Sequence, residues 1–103
     1  MPKVIVTPEV LEEVSRYVLF GRINKLKIAR YKSGANKGRL YAEYSIRDES
    51  QSPPESASNR TSASSFLNKA AYHLREGSIK DISMQKKDIN SDEYTHCMEL
   101  GGK

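Results

Sequence analysis

The chain has 103 residues, a net charge of +4, 37% hydrophobic residues and no tryptophan. That composition fits one domain with a modest core and marginal stability. It favours an anionic partner only weakly, and it holds no apolar run near the roughly 20 residues that span a bilayer.

In chain order, Lys3 to Val6 is short, apolar and β-branched, and reads as a short edge strand or an ordered lead-in. Thr7-Pro8-Glu9 then gives the clearest start signal. Threonine caps free amides of a first turn, and proline is pre-set for the first helical position. Glu9, Glu12 and Glu13 complement the positive end of the helix dipole. Val10, Leu11, Val14, Tyr17 and Val18 fall on one stripe, and Gly21 is a natural stop. The pattern predicts a helix from about Pro8 to Phe20.

Asn24 to Arg47 is the stretch around which the rest is organised. Two alternating runs flank the polar segment Ser33 to Gly38, which is the pattern of a half-buried hairpin. Leu26 and Ile28, then Leu40, Ala42, Tyr44 and Ile46, make one face. Lys25, Lys27, Ala29 and Tyr31, then Arg39, Tyr41, Glu43, Ser45 and Arg47, make the other. A one-residue slip would mix Ile28 with Glu43, so two registers survive. One sets Tyr31 opposite Tyr41 and Ile28 opposite Tyr44. The other sets Lys27 opposite Glu43, a favourable charge pair. Gly34, Asn36 and Gly38 supply turn conformations for either.

Glu49 to Ser65 is nearly all serine, proline and small polar residues. Such a segment buries too little apolar surface to offset its ordering entropy, so a flexible connector is expected, or a segment that orders on a partner. A second helix is expected from about Ser64 or Ser65 to Glu76, with Phe66, Leu67, Ala70, Ala71 and Leu74 inward and Gly77 ending it. Two alternating runs follow, Ile79 to Gln85 and Glu93 to Leu100, joined by a turn at Asn90-Ser91-Asp92. The expected fold class is α+β: an antiparallel sheet of two hairpins with two helices on one face, in the order α-β-β-loop-α-β-β, with or without a short leading strand.

Catalytic signals are absent from this pattern. His96 and Cys97 are adjacent in an expected strand and so point to opposite faces. Cys97 with His73 carries no local signature of a nucleophile and its base. One cysteine and two distant histidines give no metal-ligand spacing, and the glycines form no phosphate loop. His96 among apolar neighbours reads as a half-buried structural histidine. No enzyme activity, cofactor or metal is expected. A single cysteine excludes an internal disulfide and points to a reducing compartment. Met1 to Val6 does not read as a secretory signal, so a cytoplasmic location is expected, and the acceptor-like Asn59-Arg60-Thr61 then carries no meaning.

What remains is the basic hairpin face. Lysine and arginine neutralise anionic groups, and tyrosine rings stack on unpaired bases. The expected binding surface is Lys25, Lys27, Tyr31, Lys32, Lys37, Arg39, Tyr41 and Arg47. The function expected from it is that of a small non-catalytic binding module. It would dock on a protein partner with an acidic surface, as an accessory or inhibitor of a nucleic-acid-processing enzyme. The alternatives are a direct single-stranded DNA- or RNA-binding domain and a merely solvated sheet face. No membrane partner is expected, and an open sheet edge leaves room for a homodimer.

Overall fold

The computed structural model describes residues 3–47, 57–86 and 93–101. The first helix, α1, spans Pro8–Leu19. Thr7 is extended at its start and its Oγ1 accepts a hydrogen bond from the Val10 amide at 3.2 Å, as the cap signal predicts. At the other end the Gly21 amide donates to the Val18 carbonyl and the Arg22 amide to the Tyr17 carbonyl. These paired bonds satisfy carbonyls that the last turn leaves open and turn the chain into the sheet.

The second helix, α2, spans Ala57–Glu76 and is longer than the sequence pattern indicates. The expected connector Glu49 to Ser65 is corrected over its second half: residues 57–65 are helical, and the first half lies outside the described residues. The small side chains that make this segment look like a linker are what let it pack. Ala63 and Ser64 are buried against α1, and Ser15 Oγ lies 2.7 Å from Ser64 Oγ. At the far end Arg75 of α2 reaches Glu9 and Glu12 of α1. The helices therefore run antiparallel.

The sheet has five strands rather than the four of the simpler expectation. They are β1 (Lys3–Ile5), β2 (Ile23–Arg30), β3 (Leu40–Ile46), β4 (Ile79–Lys86) and β5 (Tyr94–Leu100). The lateral order is β1-β3-β2-β4-β5, with every pair antiparallel. The leading strand pairs with β3, setting Lys3 opposite Glu43. The first hairpin takes the charge-paired register: Lys27 faces Glu43 and Ile28 faces Ala42. The turn expected at Asn90-Ser91-Asp92 lies outside the described residues.

Both helices cover one face. Leu11, Val14 and Val18 of α1 and Leu67, Ala70 and Ala71 of α2 meet Leu26, Ile28, Ala42, Ile82 and Met84 of the sheet in one buried cluster. Alternation along each strand then leaves the opposite face of the sheet without a covering layer among the described residues.

Candidate docking face on the open side of the sheet

The cross-strand register fixes which side chains share the uncovered face. Lys3, Glu43, Lys27, Gln85 and Thr95 form one row across all five strands. In a neighbouring row Ile5, Tyr41 and Ala29 face Ser83 and Cys97 across the β2–β4 seam. The half built from β1, β3 and β2 is basic and aromatic. The half built from β4 and β5 carries shorter, mostly neutral side chains.

Tyr31 and Tyr41 are diagonal neighbours across the hairpin. Their ring centroids lie 4.7 Å apart with planes tilted by 49°. The Lys3 ammonium sits 4.8 Å from the Tyr41 ring centre and 5.6 Å from that of Tyr31. This is the arrangement in which a cation is attracted by the negative ring faces. Tyr41 is only 6% exposed, so the three groups make a packed floor rather than two free rings. Over it lies an open hollow of about 340 Å³ lined by Lys3, Lys27, Ala29, Arg30, Tyr31, Lys32, Ser33 and Tyr41.

The hairpin loop holds the rim. The Tyr31 amide donates to Arg39 O at 2.8 Å and the Gly38 amide to Tyr31 O at 3.0 Å. Gly38 closes the turn at φ 89°, a region that side chains with a Cβ avoid. Arg30 ties the loop to the second hairpin: its guanidinium donates to Gly38 O, to Lys80 O at 2.8 Å and to Asp81 Oδ1 at 3.2 Å. Lys32, Lys37 and Arg39 stand exposed around this loop, and Lys25 and Lys27 on β2. Among the described residues none of these five forms an ion pair within 4.0 Å. Their charge remains directed at solvent.

Two residues of the expected surface are placed differently. Tyr41 lies on the uncovered face but is buried there under its neighbours. Arg47, expected to be exposed, is only 7% exposed. Its Nε donates to Asn24 Oδ1 at 3.1 Å, and its main chain pairs with Arg22. The cause is a bulge in β2: the register slips between Ile23 and Lys25, and Asn24 is brought to Arg47. Strict alternation, read from sequence, cannot reveal an extra residue in a strand. Lys3, Arg30 and Ser33 also line the hollow, outside the surface that the sequence pattern predicts. The one signal for Lys3 was its place in a β-branched run, and nothing local shows that this run pairs with β3.

Elsewhere, Cys97 and His73 are kept apart. Cys97 is exposed on the uncovered face, whereas His73 belongs to α2 on the other side of the sheet. His73 Nδ1 lies 3.2 Å from Ser78 Oγ, a contact that closes the end of α2. His96 stacks on Phe66 at a centroid distance of 4.3 Å, but it is exposed rather than half-buried. Among the described residues no three His, Cys, Asp or Glu side chains gather as a metal site. No described helix is long and apolar enough to cross a membrane. No protein family, curated protein or solved structure matches this chain.

Proposed function

We propose that this protein is a small non-catalytic docking module that binds an acidic surface of a partner protein through the uncovered face of its sheet. The observation that carries this reading is the packing of Tyr31, Tyr41 and Lys3 on one another. A platform for single-stranded nucleic acid needs ring faces open to stacking bases. Here the rings are occupied by each other and by an ammonium group, while Lys25, Lys27, Lys32, Lys37 and Arg39 point their charge outward. That combination suits carboxylates better than bases. One form such docking takes is an accessory or inhibitory role on a nucleic-acid-processing enzyme, whose metal-holding carboxylates make an acidic patch.

The test is a pull-down from native lysate with the wild-type chain and a Lys27→Glu, Lys32→Glu variant, each with and without nuclease. A protein captured by the wild type, resistant to nuclease and lost with the variant supports the reading. Salt should act mainly on its association rate. Capture that disappears with nuclease, and an affinity falling steeply with salt as counterions are released, would replace it with direct nucleic-acid binding.

A further inference from the structure

The hollow over Tyr31 and Tyr41 does not stop at β2. A second hollow of about 260 Å³ lies over β2, β4 and β5, and Lys27, Ala29, Ser83, Gln85, Thr95 and Cys97 are among its lining residues. Lys27 and Ala29 line both hollows, which therefore adjoin. Their shape follows from side-chain size. Ala29 and Ser83 are short floor positions, flanked by the longer Lys27 and Gln85. Together the two hollows make one trough that crosses the strands rather than following them.

Four inter-strand steps separate β1 from β5, so the trough is about 19 Å long at about 4.8 Å per step. An extended chain covers that distance in about six residues at about 3.3 Å each. Charge is unevenly spread along it. Lys3, Lys27 and Lys32 cluster at the β1–β2 end and outnumber Glu43, which stands between Lys3 and Lys27. Beyond Lys27, no lysine or arginine among the described residues lines the second hollow. A single-stranded nucleic acid carries an anion at every nucleotide and would leave its later phosphates without a cation there. A polypeptide with acidic residues at one end and uncharged ones at the other matches both halves.

We infer that the trough seats an extended segment of the partner protein laid across the strands. Its carboxylates lie over Lys3, Lys27 and Lys32, and its uncharged residues lie over Ser83 and Cys97. This rests on the docking reading above and adds to it the direction, the length and the charge order of the bound segment.

Cys97, the chain's single cysteine, stands exposed at the uncharged end and reports on the footprint. The probe is a short fluorescein-labelled peptide with glutamates in its first half and serine and alanine in its second. Binding is followed by anisotropy on the full chain, and Cys97 is titrated with a chromogenic disulfide reagent, with Cys97→Ser as the blank. Lys27→Glu should weaken peptide binding about tenfold or more, and saturating peptide should slow the thiol reaction by a similar factor. A bulky maleimide on Cys97 should weaken binding comparably. If the peptide binds through Lys27 while Cys97 reacts at its free rate, the trough is overturned and the docking face stands. If Lys27→Glu leaves peptide binding unchanged, both readings fall. If oligothymidylate protects Cys97 more strongly than the peptide does, the occupant is nucleic acid and the inference is wrong.

Discussion

Ser15 Oγ lies 2.7 Å from Ser64 Oγ and 3.1 Å from the Ser64 carbonyl oxygen, buried between the two helices. One arrangement satisfies both hydroxyls: Ser64 donates to Ser15, and Ser15 donates to the α2 main chain. With Ala63 beside it, this pair lets the helices approach where a longer side chain would hold them apart. Ser15→Ala should cost about 1 kcal/mol, because Ser64 then loses a buried partner. Ser64→Leu should cost about 1–3 kcal/mol through overpacking. Ser65→Ala, on the exposed side of the same turn, should stay within about 0.5 kcal/mol. Urea unfolding midpoints at unchanged slope measure all three. A tolerated Ser64→Leu would mean that the start of α2 is not closely packed on α1.

Arg75 joins the end of α2 to the beginning of α1. Its guanidinium donates to both oxygens of Glu12, at 2.9 and 2.8 Å, and to Glu9 at 3.3 Å. The Arg75 hydrogen bond, outweighing a little desolvation, holds the Glu12 carboxyl below its ordinary range. A carboxyl whose folded-state pKa is lowered stabilises the fold above its ordinary value near 4.3, and that contribution is lost as pH falls through the folded-state value. Wild type should therefore exceed Glu12→Gln in urea midpoint at neutral pH, and the gap should close on acidification. The pair is exposed, so the difference will be small and will shrink in salt. A gap that persists in strong acid would assign the effect to packing instead.

Gly38 sits at φ 89° with nothing within 4 Å of where a Cβ would stand. Any penalty for Gly38→Ala is therefore conformational rather than steric, and should be about 1–2 kcal/mol. The same change also loosens the loop that carries Lys32, Lys37 and Arg39. Stability should fall while the spectrum of the folded state is kept, which thermal melts and circular dichroism will show. An unchanged melting temperature would place the turn in another conformation.

Period-two alternation in Leu26 to Ile28 and Leu40 to Ile46 was enough to assign those strands, their inward face and two candidate registers. Thr7-Pro8 gave the start of α1 because a cap and a pre-set φ act within one turn. What stayed hidden depends on contacts between residues far apart in sequence. The Ser15–Ser64 pair spans 49 positions, so residues 57–65 look like a linker until α1 is set beside them. Lys3 joins the candidate site only because β1 pairs with β3, and Arg47 leaves it only because β2 bulges. The basic half of the trough was legible from Lys27 and Lys32. Its neutral half was not, because it requires β4 to lie beside β2.

The Tyr31–Tyr41 contact separates the two readings of the basic face most sharply. If the rings serve each other, they are coupled in the free protein, and aromatic pairs of this kind are worth about 0.5–1.5 kcal/mol beyond their buried area. A double-mutant cycle with Tyr31→Ala and Tyr41→Ala should return a coupling in that range. Tyr41→Ala should be the more costly single change, since Tyr41 is 6% exposed and Tyr31 is half-buried. Lys3→Ala should lower the coupling modestly, as its ammonium lies over both rings. Lys27→Glu sets a second carboxylate opposite Glu43 and should cost about 0.2–1 kcal/mol of stability, whereas Lys27→Gln should stay within about 0.5 kcal/mol and act on binding alone. Rings held for stacking with bases would behave in the opposite way. The cycle would show no coupling, each alanine variant would melt like wild type, and each would lose about 1–3 kcal/mol of oligonucleotide affinity. Measuring stability and affinity on the same set of variants therefore decides whether the two tyrosines form the floor of a docking face or a platform for nucleic acid.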